Sequence, residues 1–371
     1  MEKIKLGIIG MGNMGSGHFR NVKAGKCPSV EVTAVCDINP QRLENLGEVA
    51  AFTDADKLLE SGLVDSVLIA VPHYLHPLMA IKAFEHKVNV LTEKPAGVYA
   101  RQVREMNEAA AKSGVKFGIM FNQRTNPLYA RAREIVQSGQ LGKPKRLVWI
   151  ITNWYRTQAY YDSGSWRATW DGEGGGVLLN QAPHNLDLWQ WIFGMPKRVR
   201  AFCDFGKYHK IDVEDDVTIF AEYENGATAS FITTTGETPG TNRLEISGDR
   251  GKIIIEDGKL KWWKLDEAER EFCFTAREGF ICPEYTYEEF SEPAPEGHPE
   301  VLEAFAKSIL TGSELIARGE EGLNSLSISN AAYLSTWTDD WAELPVDEEL
   351  FEKKLAQLRE KEKEKGKTQK K

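Results

Sequence analysis

The segment Ile4–Asp37 reads IKLGIIGMGNMGSGHFRNVKAGKCPSVEVTAVCD, and its pattern predicts a strand, a glycine turn, a helix and a second strand. The apolar start runs directly into Gly10, Gly12 and Gly15, which have the spacing G-x-G-x-x-G. The second apolar run ends at Asp37, about 20 residues beyond the glycines, where a dinucleotide fingerprint places its acidic residue. The segment therefore predicts the first βαβ unit of an α/β domain, a doubly wound parallel sheet that binds a dinucleotide.

The glycine turn has the residues that a pyrophosphate needs. Gly10 permits the tight turn, Gly12 lets the backbone approach the phosphates, and Gly15 lets the helix pack closely on the strand. Asn13 and Met14 belong to the same turn, and a helix predicted from Gly17 to Ala24 would direct free N–H groups and its positive end toward the anion. Glycines also mark ordinary turns, so the prediction depends on the agreement of strand, helix and terminal aspartate.

Asp37 bears on which dinucleotide binds. Its carboxylate would accept hydrogen bonds from a ribose diol and would repel a 2′-phosphate. Ile38 and Asn39 follow it and supply no cation, so we expect NAD rather than NADP. Arg42 is close enough in the sequence to leave NADP as an alternative.

The composition argues against several classes of function. The net charge of −9 argues against a surface for nucleic acid or for an anionic membrane. The five cysteines are scattered, without a C-x-x-C or zinc-like spacing, which fits a reducing compartment. The chain starts without a signal-peptide pattern and has no apolar run of the roughly 18 residues that span a bilayer. We therefore expect a cytoplasmic protein that binds neither nucleic acid nor membrane.

Strands and helices alternate through residues 1–122, which predicts a dinucleotide-binding Rossmann domain. The run Val64–Val71 suits a strand that is buried on both faces, and Pro40–Ala50 looks helical. Ligands of such sheets bind at the carboxyl ends of the strands. Besides the glycine turn, the residues that we expect around the cofactor are Asp37, Pro72, His73, His76, Glu93, Lys94 and Asn122. The two histidines lack a matched third ligand, so we predict no catalytic metal.

Residues 123–345 have a different character. From Leu147 onward the apolar runs alternate as strands do, and turn signals such as Asn225-Gly226 separate several of them. We expect an α+β domain with a large, mostly antiparallel open sheet. The helix predicted at Val301–Leu310 should pack beneath that sheet or on the first domain. Residues 346–371 are predicted to be a charged helical or frayed tail.

Lys94 is the first candidate for chemistry. It lies at a predicted strand end between Glu93 and Pro95, at the edge where α/β sheets bind ligands. An exposed turn lysine paired with a neighbouring acid explains its position equally well.

A second candidate group follows the glycine run Gly174–Gly176. A helix beginning after these glycines would place Asn180, His184 and Asp187 on one face, because they are spaced by four and then three residues. Pro183 makes the alignment of Asn180 less secure, since proline is tolerated in the first turn of a helix and otherwise kinks it. The alternative for His184 is a histidine whose hydrogen bonds are satisfied inside the core.

An aromatic segment precedes the glycine run. Its aromatic side chains with polar edges suit stacking on sugar rings, and they are equally common in interfaces. The segment contains Trp154, Tyr155, Tyr160, Tyr161, Trp166 and Trp170, with Arg156 and Arg167 between them. The residues that we expect to contact a substrate are Arg124, Asn153, Tyr155, Tyr161, Trp166, Arg167, Asn180 and His184.

The chain resembles the Gfo/Idh/MocA family, which contains glucose–fructose oxidoreductase, inositol dehydrogenase and related NAD(P)-dependent sugar dehydrogenases. The resemblance covers roughly residues 1–340. It rests on the glycine fingerprint, Val71-Pro72 with His76 beyond it, Glu93-Lys94-Pro95, and the glycine run that leads to His184 and Asp187. It implies a Rossmann domain followed by a sheet domain, with the nicotinamide between them, and a homodimer or homotetramer formed through the open sheet.

The resemblance also implies that Lys94 and His184 act on the substrate hydroxyl. Inositol dehydrogenase-like members have an aspartate four residues before the histidine, where this chain has Asn180. An amide cannot act as a base, so the proton should pass to His184, supported by Asp187 and assisted by Lys94. The pattern around Asn180 looks like the branch that contains levoglucosan dehydrogenase.

We therefore expect an NAD-dependent oxidoreductase of a sugar, anhydrosugar or cyclic polyol, which transfers a hydride between nicotinamide and a secondary hydroxyl or ketone. Two alternatives remain open at this point. One is an NAD-dependent glycosidase without net redox change, and the other is a non-enzymatic dinucleotide sensor.

Overall fold

The computed structural model describes residues 2–368, which form two units that are interleaved in sequence. The first unit contains the chain up to Thr125 together with Gly172–Gly174 and Pro295–Leu326. The second contains Asn126–Asp171, Gly175–Ala294 and the chain from Ser327 onward. Of the two places predicted for the helix at Val301–Leu310, the structure has the one on the first unit.

A six-stranded parallel sheet forms the centre of the first unit. Its strands are β1 (Ile4–Ile9), β2 (Val30–Cys36), β3 (Ala50–Phe52), β4 (Ser66–Ile69), β5 (Asn89–Thr92) and β6 (Phe117–Ile119). The helices between them are α1 (Asn13–Lys23), α2 (Ala55–Glu60), α3 (Leu75–Glu85) and α4 (Ala100–Ser113). The strand order is β3-β2-β1-β4-β5-β6, so the order reverses between β1 and β4, and the glycine turn follows β1. This confirms the predicted doubly wound fold.

One helix prediction in this unit is wrong. Pro40–Leu43 forms a short 3-10 helix, and its first turn is capped by the side chain of Asn39. The helix does not continue to Ala50, because Asn45 and Gly47 have positive φ angles of 60° and 73°. Ala50 instead begins the edge strand β3.

A nine-stranded mixed sheet forms the second unit, in the order β14-β13-β12-β11-β7-β10-β9-β8-β15. The strands are β7 (Pro144–Ile151), β8 (Arg198–Phe205), β9 (Glu214–Glu222), β10 (Thr228–Thr234), β11 (Asn242–Gly248), β12 (Gly251–Glu256), β13 (Lys259–Leu265), β14 (Tyr285–Phe290) and β15 (Ala342–Glu343). The helices up to β14 are α5 (Pro127–Gln137), α6 (Gln158–Tyr161), α7 (Pro183–Phe193) and α8 (Glu269–Thr275). Only β7 and β10 pair in parallel, so the prediction of a mostly antiparallel sheet is confirmed.

Three helices complete the described chain, namely α9 (His298–Thr311), α10 (Gly322–Thr338) and α11 (Glu348–Thr368). Helix α9 belongs to the first unit, where Val301, Leu302 and Phe305 join the buried cluster that contains Ile4 and Leu6 of β1. The predicted tail is helical as α11, and residues 369–371 of that prediction lie outside the described residues.

Helix α11 is attached to the aromatic segment within the second unit. Glu362 accepts hydrogen bonds from the backbone N–H groups of Trp170 and Asp171, both at 2.9 Å. The Asp171 carboxylate in turn pairs with Arg359 at 2.7 Å and with Lys363 at 3.1 Å. No helix within residues 2–368 has the length and apolarity that crossing a membrane requires.

Candidate active site

The glycine turn after β1 has the shape that a dinucleotide requires. Gly10 has φ of +96°, and a Cβ atom there would lie 2.4 Å from the carbonyl oxygen of Ala70. A Cβ atom on Gly15 would lie 1.8 Å from the carbonyl oxygen of Gly10, so α1 packs directly on the turn. Above Gly12 the nearest atom is Arg42 Nη1 at 4.0 Å, and no side chain caps the start of α1. The turn therefore leaves space and free N–H groups for a pyrophosphate.

Asp37 connects the end of β2 to this turn. Its buried carboxylate accepts hydrogen bonds from the backbone N–H groups of Met11 and Asn39, each at 2.8 Å. Arg42 Nη1 lies 3.3 Å from Asp37 Oδ2, and about half of the arginine side chain is exposed. A carboxylate can accept about four hydrogen bonds, so Asp37 retains capacity for a ribose hydroxyl.

The two histidines beyond β4 contact backbone carbonyls. His73 Nδ1 lies 2.9 Å from the Glu173 carbonyl oxygen. His76 Nδ1 and Nε2 each lie 2.7 Å from a carbonyl oxygen, of Pro95 and Val71 respectively. Burial lowers the pKa of His76, although the two carbonyl oxygens and Glu93 oppose this effect. His76 thus joins the loop after β4 to the loop after β5, while Pro72 is exposed at the same edge.

Glu93 is buried beside Lys94 and contacts His18. Its Oε1 atom lies 2.7 Å from His18 Nε2 of α1, and its Oε2 atom accepts a hydrogen bond from the Lys94 backbone N–H at 3.2 Å. Burial alone would raise the pKa of Glu93, but His18, Lys94 and His298 outweigh it and lower the pKa to about 2. Glu93 is therefore a fixed negative charge at neutral pH beside the half-buried Lys94.

Asn122 and Arg124 follow β6 in a short 3-10 helix, Asn122–Thr125. Asn122 Nδ2 lies 3.3 Å from His298 Nδ1, and the His298 ring packs edge-on against His18. Arg124 is buried, forms an ion pair with Glu321 and lies over the Phe121 ring. Arg124 therefore contacts Glu321 and Phe121 of the first unit, and Asn122 contacts the histidine that packs against His18.

Gly176, the last residue of the glycine run, is held by a residue that sequence reasoning missed. The carboxylate of Glu214, at the start of β9, accepts hydrogen bonds from the N–H groups of Gly176 at 2.9 Å and Leu178 at 2.8 Å, and from the Tyr333 hydroxyl at 2.7 Å. Burial raises the pKa of Glu214 to about 7, although these hydrogen bonds lower it. A signal was present in the sequence, because an acidic residue directly follows the apolar Val213 at a strand start.

His184 lies at the second position of α7, which begins at Pro183. Asn180 precedes the helix, so the predicted helical face does not include it, because Pro183 fills the first turn. His184 is 9% exposed and Asp187 is 1% exposed. Asp187 Oδ1 accepts a hydrogen bond from Gln190 Nε2 at 3.0 Å, and its three-residue spacing places it on the same helix face as His184.

The aromatic segment divides into core and surface residues. The Tyr161 hydroxyl lies 2.7 Å from Thr235 Oγ1, and burial raises the pKa of Tyr161. Trp170 packs edge-on against Tyr333 and Trp337 and donates to the Asp212 carbonyl oxygen. Both side chains therefore stabilise the second unit. The side chains that remain half-buried or exposed are Asn153, Trp154, Tyr155, Arg156, Tyr160, Trp166 and Arg167.

A cavity of about 330 Å³ lies in the second unit beside Asn153. Asn126, Tyr129 and Asn242 also line it. Within residues 2–368, no group of three or more His, Cys, Asp and Glu side chains is arranged to hold a metal ion.

Known proteins match this chain over most of its length. The myo-inositol 2-dehydrogenase of Thermotoga maritima is 26% identical over 342 residues, which cover 89% of this chain and 95% of that protein. The levoglucosan dehydrogenase of Pseudarthrobacter phenanthrenivorans is 24% identical over 394 aligned positions, covering 93% and 99%. The crystal structure of the WlbA dehydrogenase from Bordetella pertussis, in complex with NADH and UDP-GlcNAcA, is 25% identical, with a TM-score of 0.77 and coverage of 93% and 100%.

Two family models match the chain, one in the region of each sheet. Residues 4–121 match the oxidoreductase family with an NAD-binding Rossmann fold. Residues 129–254 match the GFO/IDH/MocA C-terminal domain. The resemblance predicted from the motifs is confirmed, and the chain belongs to the GFO/IDH/MocA family of NAD-binding oxidoreductases.

Proposed function

We propose that the protein is an NAD-dependent dehydrogenase, which transfers a hydride between nicotinamide and a secondary hydroxyl or ketone of a sugar, anhydrosugar or cyclic polyol. The observation that carries this proposal is the similarity to named inositol and levoglucosan dehydrogenases over 89% and 93% of the chain. The glycine turn supports it independently. A Cβ atom on Gly10 or Gly15 would clash with the backbone, while the space above Gly12 is open to a pyrophosphate.

Residues of the first unit would hold the cofactor. We assign the pyrophosphate to the turn Gly10–Gly15, including Asn13 and Met14, and a ribose to Asp37. The strand-end residues Pro72, His73, His76, Glu93, Lys94 and Asn122 belong to the same edge. When bound, NAD would accept the hydride that leaves the substrate carbon.

The hydroxyl chemistry is assigned to two side chains. His184 would take the hydroxyl proton, since a neutral imidazole is a base near neutral pH. Lys94 would stabilise the negative charge that develops on the oxygen. Asp187 would support the histidine from the same helix face, and Asn180 would donate or accept a hydrogen bond without acting as a base.

A panel of substrates tests this function directly. Purified protein with NAD or NADP is mixed with inositols, aldoses, anhydrosugars and glycosides, and absorbance of the reduced nicotinamide is followed. An increase with one ligand class supports the proposal. Release of free sugar without reduced nicotinamide would instead indicate the redox-neutral glycosidase, and cofactor binding without any turnover would indicate a sensor.

Replacing Asp37 with serine is expected to change the cofactor preference. The variant loses a charge-assisted contact to the ribose, worth about 1.5–3 kcal/mol, so the KM for NAD should rise at least about tenfold. Arg42, released from its ion pair, can then bind a 2′-phosphate, and NADP should become the better cofactor. The control is D37S with R42A, which should not gain NADP activity. An unchanged KM for NAD would remove Asp37 from the cofactor site.

We also propose a cytoplasmic location and assembly into a homodimer or homotetramer through the large sheet. The location is supported by five free thiols, Cys27, Cys36, Cys203, Cys273 and Cys282. Ala201 and Ile219 are buried on one face of the large sheet. Assembly is supported by exposed apolar side chains on the opposite face. On that outer face Phe202 is 58% exposed and Phe220 is 39% exposed, on the neighbouring strands β8 and β9.

Charged residues at these positions should disrupt the assembly. The double variant F202E/F220E is expected to yield a smaller particle in light scattering coupled to size exclusion, because like charges would face each other across the interface. The control F274E alters a phenylalanine that is 75% exposed but lies outside the sheet, in α8, and should leave the particle size unchanged. A native protein that is monomeric at micromolar concentration would contradict the proposal.

A further inference from the structure

A group of hydrogen-bond donors lies in the half-buried part of the aromatic segment. We name it the arginine cluster and define it as Trp154, Arg156, Tyr160, Arg167 and Gln181. The guanidinium carbon of Arg156 lies 5.2 Å from the Tyr160 ring centre, and that of Arg167 lies 4.6 Å from it. Both guanidinium groups therefore make cation–π contacts with the ring of Tyr160.

Neither arginine of the cluster has a carboxylate partner in the part of the chain that the structure describes. Arg156 donates from Nη1 to the carbonyl oxygens of Trp154 and Tyr155, and Arg167 donates from Nη1 to the Tyr160 hydroxyl. Other arginines of this unit, such as Arg198, are paired with an acid. A guanidinium has five N–H donors, so most of the donors of Arg156 and Arg167 remain available.

The neutral members of the cluster add further donors. The Tyr160 hydroxyl accepts from Arg167 at 2.9 Å and from Gln181 Nε2 at 3.3 Å, so its own proton remains to be donated to a third group. The indole Nε1 of Trp154 is buried and has no acceptor among the described residues. Gln181 is 5% exposed, and its Oε1 atom is an acceptor without a partner among the described residues. Apart from this one oxygen, the groups of the cluster that remain available are donors, which suits a ligand that supplies mainly acceptors.

The backbone holds Arg156 in place before any ligand binds. Its N–H donates to the Thr235 carbonyl oxygen at 2.9 Å, and its carbonyl oxygen lies 2.9 Å from His209 Nε2. His209 Nδ1 lies 2.9 Å from the buried Asp215 carboxylate. A guanidinium that stacks on an aromatic ring keeps its N–H edge free for the two parallel hydrogen bonds that a carboxylate or phosphate accepts.

The arginine cluster is connected to the residue to which we assign the proton transfer. Gln181 belongs to the cluster and lies three residues before His184, just ahead of α7. Resting on the dehydrogenase function proposed above, we propose that the substrate carries an anionic group, a carboxylate or a phosphate, and that Arg156 and Arg167 bind it. The neutral part of the carbohydrate then presents its hydroxyl to His184.

Direct binding tests this subsite without turnover. The intact protein is titrated by calorimetry with D-glucose, D-glucuronate and D-glucose 6-phosphate, and with galactose and galacturonate as a second stereochemical series. We expect at least one acidic sugar to bind tenfold or more tightly than its neutral counterpart, with an advantage that falls as salt is added. Tighter binding of glucuronate or galacturonate would identify the anionic group as a carboxylate, and tighter binding of glucose 6-phosphate would identify it as a phosphate. Equal binding of the acidic and neutral sugars in both series would overturn the proposal.

Variants connect the effect to the arginines. R156Q and R167Q should each remove most of the advantage of the acid, while R167K should retain part of it, because the charge remains and the planar fork is lost. The matched control is R270Q, since Arg270 also lies over an aromatic ring, that of Phe274 at 5.1 Å, in the same unit. If the advantage persists in full in both R156Q and R167Q, the arginines do not form the subsite. Thermal melting identifies a variant that fails to fold.

Failure of the subsite and failure of the dehydrogenase function give different results. Reduction of NAD with neutral sugars alone, and no preference for acids in binding, would overturn the anionic substrate and leave the dehydrogenase. Tight binding of an acidic sugar that the arginine variants remove, without reduction of NAD by any sugar, would leave the subsite and overturn the dehydrogenase.

Discussion

Replacement of Lys94 by alanine is expected to lower kcat by about a thousandfold and to leave the affinity for NAD within about twofold of the native value. The reason is that the lysine charge is assigned to the oxygen of the reacting hydroxyl, while the glycine turn and Asp37 carry the cofactor. Buried Glu93, with its pKa near 2, keeps a negative charge beside Lys94 at every working pH. Steady-state reduction of NAD gives kcat, and calorimetry gives the affinity for NAD.

The control for this variant is K112A. Lys112 is an exposed lysine of α4 in the same unit, and its loss should leave kcat within about twofold, as expected for a surface substitution. K94R should recover only a fraction of the activity, because it keeps the charge but moves its centre. If kcat of the K94A protein lies within about threefold of the native value, Lys94 takes no part in the chemistry.

Replacement of Glu214 by alanine is expected to lower the free energy of unfolding by more than about 3 kcal/mol, since each buried donor without a partner costs about 1–3 kcal/mol. The variant leaves three such donors, the N–H groups of Gly176 and Leu178 and the Tyr333 hydroxyl. Urea unfolding measures the loss. E222Q is the control, because Glu222 lies on the same strand and is paired with Arg198 at a partly exposed site.

The native protein should also lose stability as the pH rises. In the folded chain the pKa of Glu214 is about 7, above its ordinary value of 4.5, so the folded state retains a proton that the unfolded state has lost. The stabilisation is complete below about pH 4.5 and is lost as the pH rises through about 7, with a total near 3 kcal/mol by order of magnitude. E214Q should abolish this part of the pH dependence. An identical pH profile in E214Q and native protein would exclude Glu214 as its source.

The first unit could be predicted largely from the sequence, because its signals are local. The glycine turn, the buried run at β4 and the acid that ends β2 each indicate their own element. The predicted helix at Pro40–Ala50 failed for a local reason too, since Asn45 and Gly47 adopt positive φ angles that composition alone did not reveal.

The parts of the candidate site that could not be predicted from the sequence depend on contacts between residues far apart in the chain. Glu214 holds Gly176 and Leu178 across 38 and 36 residues of sequence, and no spacing rule identifies such a pair. Tyr161 and Trp170 are residue types that are common on sugar-binding surfaces. In the structure both are buried, against Thr235 and Tyr333 respectively. The assignments of Lys94 and His184 to catalysis remain predictions, because their chemistry is tested only by turnover.

The return of α9 to the first unit has a consequence for how the protein is made. Its sheet is complete in sequence once β6 has been synthesised, yet Val301 and Phe305 still have to join the cluster around β1. The hydroxyl of Ser29 likewise donates a hydrogen bond, at 2.7 Å, to the carboxylate of Glu303, which is synthesised 274 residues later. A nascent chain that ends near Thr125 therefore exposes part of an apolar core. The first unit should reach its full stability only after nearly the whole chain has been translated, so the usual order of folding, from the N-terminal domain onward, does not apply here.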